Sequence, residues 1–401
     1  MIKLKIGLFG FGCVGQGLYD VLSKSQGLKA DIVKICVKQK EKKRPIPSHF
    51  FTFNRFELLD DPQINVIVEL IDDADEAFKI VKYALEKGKN VVTSNKKMVA
   101  YHLRELVELQ KKNGVSLLYE ASSCGSIPII RTLEEYYDNE LLFSIAGIFN
   151  GTSNYILTKT IFDNLSYDQA LKEAQDKGFA ETDPTNDVEG FDAKYKSVIV
   201  AAHAFGLFVN PEEVFNFGIS TLAPEDINYA REKGLKIKLV PTIIKHPDNS
   251  VSLFVAPKMV NADNYLFNVE YEFNGVIVEG AFSDKQFFSG KGAGGHPTGS
   301  AVLSDISALS YDYKYEYKKF AQNHAVRFNN AIYVKIYLRY EEESLLEELQ
   351  FKEIFVKHTS SKFRYVIGLV PLKSLIRCQE EIKRKKLFFA LTKSSPVLPI
   401  S

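Results

Sequence analysis

Short apolar runs alternate with amphipathic segments along the first 150 residues of the chain. The apolar runs predict β-strands at Lys3–Phe9, Ile32–Val37, Ile64–Leu70, Asn90–Thr93, Ser116–Tyr119 and Ser144–Phe149. Apolar residues at helical spacing predict helices over Val14–Ser23, Ala74–Glu86 and Lys97–Lys112. Strands that alternate with crossover helices are typical of a mostly parallel sheet covered on both faces, so an α/β fold is expected.

The pattern turns helical between residues 150 and 206. Ser166 and Gln169 form the ends of a capping box, which predicts a helix that begins there and ends at Gly178. A second helix is expected to follow the Asp183-Pro184 turn and to end near Gly206.

Strand signals return after residue 235. Residues 235–289 alternate between apolar and polar positions, which predicts strands with turns at residues 247–249 and at Asn274-Gly275. The glycine-rich loop Gly290–Gly295 then leads into a predicted helix around Ser300–Leu309.

The last segment of the chain has a compact pattern of its own. Its predicted strands are Ala331–Arg339, Phe351–His358, Phe363–Leu369 and Lys386–Thr392. Its predicted helices are Ser344–Leu349 and Pro371–Arg384. The order of these elements is βαββαβ.

Composition narrows the functional classes. A chain of 401 residues is long enough for two or three domains, or for one large domain with insertions. Lys and Arg number 51 against 50 Asp and Glu, and a net charge of +1 argues against a protein built mainly to bind nucleic acid or an anionic membrane. No apolar run approaches the roughly 18 to 20 residues of a membrane span, and no signal-peptide pattern is present. Four scattered cysteines indicate a reducing compartment, so a cytoplasmic enzyme is expected.

The first predicted strand and helix are joined by a GxGxxG motif. Its residues are Gly10, Phe11, Gly12, Cys13, Val14 and Gly15. The first glycine allows a tight turn, the second lets a pyrophosphate approach the backbone, and the third permits close packing of helix on strand. In the first βαβ unit of a chain this motif favours a Rossmann-type domain that binds a dinucleotide.

The end of the second predicted strand bears on the choice of cofactor. NAD-binding chains normally carry a carboxylate there for the ribose 2′-hydroxyl, whereas this chain continues through Lys38 into a basic loop that ends at Arg44. Cations suit the 2′-phosphate of NADP, so Lys38 and Arg44 favour NADP(H) over NAD(H). The alternative is a loop of solvated charge.

A second polar group surrounds the helix expected after residue 184. Glu181, Asp183 and Asp187 lie in a turn-rich loop, where carboxylates repel one another unless a cation or an ammonium-bearing ligand lies among them. Asp192 and Lys196 are four residues apart, so on a helix they share one face. A surface salt bridge is the alternative interpretation of that pair.

The histidines offer little chemistry. They show no metal-ligand spacing, and His203 lies among small and apolar residues, which favours a core histidine over a catalytic one. The chain also contains no nucleophile elbow and no Walker loop.

Six sequence blocks together resemble the homoserine dehydrogenase family, across most of residues 1 to about 320. They are Gly7–Gly15, Val91–Lys96, Glu120–Arg131, Gly147–Leu157, Gly178–Lys196 and Gly290–Asp305. The resemblance implies hydride transfer with NAD(P)(H) that interconverts L-homoserine and L-aspartate 4-semialdehyde in threonine, methionine and isoleucine biosynthesis. It also implies a homodimer or higher homo-oligomer.

Matching positions carry implied roles. Lys196 matches the proton donor and acceptor, and Lys96 matches a second lysine near cofactor and substrate. The expected substrate-binding residues are Gly178, Glu181, Asp187 and Asp192. The expected cofactor-binding residues are the six of the glycine motif with Lys38, Arg44, Lys96, Gly292 and Gly294. The implied site for a monovalent cation, Na⁺ or K⁺, consists of Glu120 and the carbonyls of Ser123, Gly125 and Ile127.

Three domains are expected. They are a Rossmann domain over residues 1–128 with about 300–325, an α+β catalytic and dimerisation domain over 129–299, and an ACT-like module over 330–401. Residues Tyr340–Ser344 carry three acids and lack the glycine of the family's amino-acid-binding loop, so a degenerate module that binds threonine poorly is expected. An ordinary terminal extension is the alternative.

Some positions depart from the family pattern. Asp72-Asp73 replaces two small residues near the expected nicotinamide ribose, and Ser123-Cys124 replaces Val and Gly. Two other functions remain open at this stage, namely another Rossmann dehydrogenase of an amino-acid-derived carbonyl and a catalytically silent dinucleotide sensor. The chain retains Glu181, Asp192, Lys96 and Lys196 together, which speaks against a sensor, since a sensor needs none of them.

Overall fold

The computed structural model describes residues 3–322, 326–360 and 363–393, together with the backbone of residues 398 and 399. The chain forms two compact units. Unit 1 comprises the residues up to Asp138, Ala202–Ala204 and Lys291–Ala321. Unit 2 comprises Asn139–Ala201, Phe205–Gly290 and the residues from Gln322 onward. The division into three domains stays a prediction, and residues 1–2, 323–325, 361–362, 394–397 and 400–401 of its segments lie outside the described residues.

The secondary structure is assigned over the described residues. The strands are β1 Leu4–Phe9, β2 Ala30–Cys36, β3 Phe51–Thr52, β4 Val66–Glu69, β5 Asn90–Thr93, β6 Leu117–Leu118, β7 Leu142–Ile148, β8 Phe215–Asn216, β9 Lys236–Lys245, β10 Ser250–Val260, β11 Phe273–Gly280, β12 Asp284–Lys291, β13 Arg327–Phe328, β14 Ile332–Tyr340, β15 Glu353–Thr359, β16 Arg364–Pro371, β17 Phe388–Leu391 and β18 Leu398–Pro399. The α-helices are α1 Cys13–Lys24, α2 Phe56–Leu59, α3 Ala74–Glu86, α4 Lys96–Asn113, α5 Ile129–Glu135, α6 Gly151–Phe162, α7 Tyr167–Asp176, α8 Thr185–Val188, α9 Phe191–Phe205, α10 Pro224–Glu232, α11 Gly295–Leu309, α12 Lys318–Gln322, α13 Glu343–Leu349 and α14 Leu372–Arg384.

Unit 1 contains a parallel sheet with strand order β3-β2-β1-β4-β5-β6. Strand β4 is buried at every position and β1 at all but one, as strands covered on both faces must be. The order reverses at β1, which is the arrangement of a doubly wound dinucleotide-binding sheet, and ligands of such sheets bind at the carboxyl ends of the strands beside the reversal. The predicted α/β fold is confirmed.

One predicted strand belongs to the other unit. The sequence places Ser144–Phe149 among the strands of the first half, whereas β7 lies in unit 2 and pairs antiparallel with β9 and β11. An apolar run identifies a buried strand but not its neighbours, because pairing partners lie far away along the chain.

The sheet of unit 2 is mixed. Among the described residues its path runs β12-β11-β7-β9-β10-β17-β14-β16-β15, with β8 and β13 also paired to β10 and β18 to β14. The strands β9 and β10 form a long antiparallel pair over ten residues each. Two predicted features of this unit differ from the structure, and each difference affects where polar side chains of the candidate site lie.

The helix predicted from Asp183-Pro184 to Gly206 is divided into α8 and α9. Gly190 lies between them with φ +83°, and a Cβ there would lie 3.2 Å from a methyl carbon of Val255. A left-handed residue stops a helix. Asp192 and Lys196 lie in the first two turns of α9, and Gly190 separates that helix from α8.

The turn predicted at Asn274-Gly275 is wrong. Both residues lie inside β11, where Gly275 pairs with Ile148 of β7. A Cβ on Gly275 would lie 2.9 Å from Val269 and from Phe287. The glycine is therefore required for close packing, which the dipeptide alone does not distinguish from a tight turn.

The carboxyl-terminal segment shows the βαββαβ order expected from the sequence, as β14-α13-β15-β16-α14-β17. Its strands are arranged β17-β14-β16-β15, and β17 pairs with β10, so the segment continues the sheet of unit 2. Glu342 and Glu343 form ion pairs with Lys385 and Lys357. Two of the three acids in the loop at residues 340–344 are therefore paired with lysines, and the ACT-like assignment stays a prediction.

Candidate active site

The loop between β1 and α1 is shaped for a phosphate group. Gly10 has φ +92°, and a Cβ there would lie 2.5 Å from the carbonyl oxygen of Leu70, so a side chain is excluded. A Cβ on Gly12 would meet no atom within 4 Å, whereas one on Gly15 would lie 2.6 Å from the Gly10 carbonyl oxygen. No side chain caps α1. The backbone N–H groups of its first turn can therefore bind an anion.

A cavity of about 760 Å³ lies beside this loop within unit 1. It is bounded by the carboxyl ends of β1, β2 and β4, the position expected for a dinucleotide. The predicted cofactor residues in its lining are Gly10, Phe11, Gly12, Cys13, Val14, Lys38 and Arg44. Four other predicted residues, Gly15, Lys96, Gly292 and Gly294, are not part of that lining. Gly15 packs under the loop, and Lys96 is half-buried at the first position of α4.

The second glycine-rich loop starts α11 at Gly295, five residues earlier than predicted. Gly294 precedes the helix with φ +123°, and no side chain caps its amino terminus. A Cβ on Gly17 of α1 would collide with the carbonyl of Gly295. The two uncapped helix starts therefore lie side by side in unit 1. Gly292 and Gly294 lie in the loop that leads into the second of these helices, α11.

The predicted cofactor cations Lys38 and Arg44 border the cavity near the end of β2, and Lys42 and Arg55 also line it. The guanidinium of Arg44 donates to the carbonyls of Lys42 and Gln39, at 2.8 and 2.6 Å, and lies 5.0 Å from the ring centre of Phe51. Lys38 is exposed, and its Nζ lies 3.8 Å from a carboxylate oxygen of Asp73. An exposed ion pair of this length holds a side chain weakly, so Lys38 can turn toward a ligand while Arg44 is fixed by its loop.

Asp72 and Asp73 also line the cavity. Asp73 accepts a hydrogen bond from the backbone N–H of Glu76 at 3.0 Å and caps α3. This bond, and after it the charge of Lys38, holds the pKa of Asp73 below its usual value. The capping role explains Asp73, while Asp72 adds negative charge to the cavity with no comparable structural role.

Glu120 is buried in unit 1 beneath α5. Its carboxylate accepts hydrogen bonds from the backbone N–H groups of Ile130 and Arg131 at 2.8 and 2.7 Å, and burial raises its pKa. Asp305 accepts from the Glu120 N–H at 2.8 Å and pairs with Arg131 at 3.1 Å, and burial raises the pKa of Asp305 to about 8. Two of the four lone-pair positions of Glu120 are therefore used.

The loop after Glu120 carries the carbonyls predicted to bind a monovalent cation. Cys124 and Gly125 have φ of +50° and +62°, which turns the backbone between Ser123 and Ile127. A Cβ on Gly125 would collide with the carbonyl of Lys291. The carbonyl of Ile127 already accepts from a backbone N–H at 2.8 Å. Oxygen ligands suit a hard cation. The oxygen atoms of this loop fit such a cation only in part, because the carbonyl of Ile127 already accepts a hydrogen bond. Among the described residues no group of three His, Cys, Asp or Glu side chains is placed to hold a metal ion.

Asp192 and Lys196 form a buried ion pair on α9 in unit 2. Lys196 Nζ lies 2.6 Å from Asp192 Oδ2 and donates to the carbonyl oxygen of Phe149 at 2.8 Å. Asp192 is 3% exposed and Lys196 8%. The alternative of a surface salt bridge is excluded by this burial. A buried ammonium with two oriented acceptors is suited to transfer a proton to one further group.

Asn150 links the pair to a second predicted substrate residue. Its Nδ2 donates to Asp187 Oδ1 at 2.7 Å and to Asp192 Oδ2 at 3.0 Å, and its Oδ1 caps α6 by accepting from the Ser153 N–H at 2.8 Å. The two carboxylates are therefore held together by one amide, although like charges repel.

The other predicted substrate residues lie in the loop after α7. Gly178 has φ +74°, is exposed, and a Cβ on it would meet nothing within 4 Å. Glu181 is exposed, and its backbone carbonyl accepts from Gln175 Nε2 at 3.0 Å. The hydrogen bonds of Asn150 and the ion pair of Lys196 bring together Asp187, Asp192 and Lys196, and Glu181 takes no part in these bonds.

The chain matches two models of known protein families. Residues 128–307 match homoserine dehydrogenase, and residues 10–120 match the NAD-binding domain of homoserine dehydrogenase. The homoserine dehydrogenase of Bacillus subtilis (strain 168) is 38% identical over 318 residues, which cover 77% of this chain and 73% of the relative. That of Helicobacter pylori is 38% identical over 316 residues, which cover 77% and 74%. The chain belongs to the homoserine dehydrogenase family.

Solved structures agree with this assignment. A homoserine dehydrogenase from Thiobacillus denitrificans matches with a TM-score of 0.85 and 30% identity, over 97% of this chain and 98% of that one. A hyperthermophilic archaeal homoserine dehydrogenase in complex with NADPH matches with a TM-score of 0.67 and 26% identity, over 78% and 99%. The expectation of an NAD(P)-dependent oxidoreductase acting on a CH–OH group is confirmed.

His203 is a core residue of unit 1. It is 1% exposed, and its ring nitrogens lie 2.6 Å from Glu134 Oε1 and 2.8 Å from the hydroxyl of Tyr119. Burial acts to raise the pKa of Glu134, but the neighbouring His203 and two backbone N–H groups outweigh it and hold that pKa low. The network uses both ring nitrogens, which supports a structural role.

Sequence reasoning missed three groups around Lys196. The Phe149 carbonyl carries no side-chain signal, and Asn150 lies in the block Gly147–Leu157 without a role assigned to it. Asn274 was assigned to a turn, yet its Nδ2 donates to the same Phe149 carbonyl at 3.2 Å.

None of the described helices has the length and apolar character needed to cross a membrane.

Proposed function

We propose that this member of the homoserine dehydrogenase family interconverts L-homoserine and L-aspartate 4-semialdehyde, with NADP(H) preferred over NAD(H). The observation that carries the proposal is the buried Asp192–Lys196 pair, with Nζ held by Asp192 at 2.6 Å and by the Phe149 carbonyl at 2.8 Å. Family membership supports this activity over another Rossmann dehydrogenase or a silent sensor, because a sensor has no use for a proton-transfer group.

Lys196 supplies the acid–base chemistry in this proposal. The nicotinamide supplies or accepts the hydride when it is bound. Negative charge develops on the aldehyde oxygen during reduction, and a positioned proton donor stabilises it. Nζ of Lys196 gives a proton to that oxygen and takes one from the hydroxyl in the reverse direction. Asp192 and Phe149 accept two of its hydrogen bonds and so orient the third. Lys96 is proposed as the second catalytic lysine.

The carboxylates supply recognition of the substrate. The α-ammonium group of either substrate needs anionic acceptors, and we assign this role to Glu181, Asp187 and Asp192 with the Gly178 backbone. Asn150 holds two of these carboxylates together through Nδ2. Binding of an ammonium group would relieve their mutual repulsion, which gives the site a preference for an amino-acid substrate over a simple alcohol.

NADP preference is supported by charge beside the cavity. Lys38 and Arg44 both line it, and β2 ends without a carboxylate at this point. A cation stabilises a 2′-phosphate, whereas a carboxylate would repel it. The six residues of the glycine motif would hold the pyrophosphate, and Gly292 and Gly294 would approach the cofactor through their backbone.

Two further properties belong to the proposal. A monovalent cation, Na⁺ or K⁺, would be held by Glu120 with the carbonyls of Ser123, Gly125 and Ile127. Turnover in Na⁺ or K⁺ compared with turnover at equal ionic strength in choline chloride tests that site. A homodimer in the cytoplasm is the expected state, and light scattering of the purified chain tests the assembly.

One assay tests the function. L-homoserine is added to the enzyme with NADP, and the absorbance of the reduced nicotinamide is followed. L-serine and 1-propanol serve as comparisons, since one lacks a methylene group and the other lacks the amino-acid group. Reduction of NADP by homoserine at least 100-fold faster than by either comparison is the expected result. Equal rates with 1-propanol would exclude the proposed ammonium recognition.

A further inference from the structure

Asn274 is a fully buried polar residue next to the proton-transfer lysine. It is 0% exposed, and its Nδ2 donates to the Phe149 carbonyl oxygen at 3.2 Å. That oxygen also accepts from Lys196 Nζ at 2.8 Å. One carbonyl therefore receives two hydrogen bonds, one from the catalytic candidate and one from the asparagine.

The backbone around Asn274 explains why it reaches this carbonyl. Gly275 pairs with Ile148, so Asn274 and Phe149 are the next residues where β11 and β7 meet. A Cβ on Gly147 would collide with the carbonyl of Gly275. Two glycines thus let the strands approach closely at the position where the asparagine contacts the end of β7.

The other polar atom of the amide, Oδ1, does not contribute a hydrogen bond that would explain the residue by stability. Among the described residues no donor contacts Asn274 Oδ1, although this oxygen is buried. A buried acceptor without a partner is destabilising, and such groups call for a functional explanation. The amide cannot rotate to exchange its two ends, because Oδ1 would then face the Phe149 carbonyl, acceptor against acceptor.

We propose that Asn274 is a positioning residue for Lys196, which acts by holding the Phe149 carbonyl in the orientation that accepts from Nζ. The inference rests on the proposed function, since it assigns Asn274 a part in the same proton transfer. With the carbonyl fixed, Nζ has two defined acceptors and directs its remaining hydrogen toward the substrate oxygen. Without Asn274 the carbonyl can turn away, and Nζ loses one of the two contacts that orient it.

The test compares Asn274→Ala with the wild type and with a control, Asn330→Ala. Asn330 Nδ2 also donates to a backbone carbonyl in unit 2, that of Leu253 at 3.0 Å, and its Oδ1 accepts from the Leu253 N–H at 3.1 Å, so both of its side-chain hydrogen bonds join it to β10. We measure kcat, the KM for homoserine, the pH profile of kcat and the thermal midpoint. Asn274→Ala should lower kcat about 10- to 100-fold and displace the pH profile, with KM changed less than threefold. Asn330→Ala should lower only the thermal midpoint.

The possible results of this test distinguish failure of the positioning role from failure of the proposed function. A kcat and pH profile of Asn274→Ala like those of the wild type, with only the thermal midpoint lowered, would overturn the positioning role. If Asn274→Ala is not recovered folded, Asn274→Leu replaces it, because leucine has a similar branched shape and no hydrogen-bond donor. Wild-type kcat in Asn274→Leu would overturn the inference equally. A wild-type enzyme that does not oxidise homoserine would instead reject the proposed function.

Discussion

Replacement of Lys196 by methionine tests two proposed effects of its ammonium group, which are proton transfer to the substrate and stabilisation of the buried Asp192 carboxylate. Methionine keeps much of the length and volume of the lysine but has no charge and no proton to transfer. The change removes the 2.6 Å contact with Asp192 and the 2.8 Å bond to the Phe149 carbonyl. It therefore leaves a carboxylate that is 3% exposed without its cation.

The expected magnitudes follow from these two losses. A positioned acid or base contributes about 10²- to 10⁴-fold to turnover, so kcat should fall by that factor, with a smaller change in the KM for homoserine. Breaking a buried ion pair by removing one partner costs about 3–5 kcal/mol of folding free energy. We expect a value near the lower end, because Asn150 Nδ2 still donates to Asp192 at 3.0 Å.

A second substitution tells the two effects apart. In Lys196→Met combined with Asp192→Asn the unpaired charge is gone, so urea unfolding should recover about 2 kcal/mol relative to the single variant, while turnover stays low. The matched control is Lys194→Met on the same helix. Lys194 is also a buried lysine, and its Nζ lies 4.8 Å from the ring centre of Phe191. Its replacement should leave kcat within threefold of the wild type.

Near-normal turnover in Lys196→Met would refute the acid–base assignment and make Lys96 the candidate. Recovery of turnover in the double variant would also refute it, because the loss in the single variant would then come from the buried unpaired carboxylate alone. Equal losses in Lys194→Met and Lys196→Met would mean that any buried lysine on α9 is needed for folding of the site.

Four other outcomes are expected. Replacement of Lys38 and Arg44 by Ala should weaken NADP(H) about 10-fold or more while NAD(H) is little affected, measured as kcat/KM for each cofactor; a wild-type preference for NAD(H) would show the loop to be solvated charge. Glu181→Ala should raise the KM for homoserine with a smaller change in kcat, and an unchanged KM would remove Glu181 from the substrate site. The pKa of Asp305 is raised to about 8 in the folded state, so the folded protein binds this proton more tightly than the unfolded chain does. The resulting contribution to the free energy of unfolding is lost as pH rises from about 4 to about 8. Asp305→Asn should therefore flatten the pH dependence of the free energy of unfolding over that range, by an amount on the order of a few kcal/mol, and an unchanged slope would contradict the shift. Calorimetry with L-threonine should show no submillimolar binding, and inhibition by submillimolar threonine would reject the degenerate ACT-like module.

The elements of the fold were largely predictable from the sequence. Helix α3 and strand β5 have the predicted bounds, and the glycine motif lies between β1 and α1 as expected. Local patterns decide such features, because apolar periodicity, capping residues and glycine turns act within a few residues of one another. The pairing of Asp192 with Lys196 was predictable for the same reason, since four residues span one helical turn.

The neighbours of the Asp192–Lys196 pair were decided only by the tertiary structure. Asn-Gly has the same local preference in a turn and in a crowded strand, and only the contact of β11 with β7 places Asn274 against the Phe149 carbonyl. Burial of Lys196, which distinguishes a functional pair from a surface salt bridge, also depends on residues more than 40 positions away. Sequence therefore predicted the main candidate groups, because their residue types and local spacing are visible in it, while long-range packing determined which of them meet and in what dielectric surroundings.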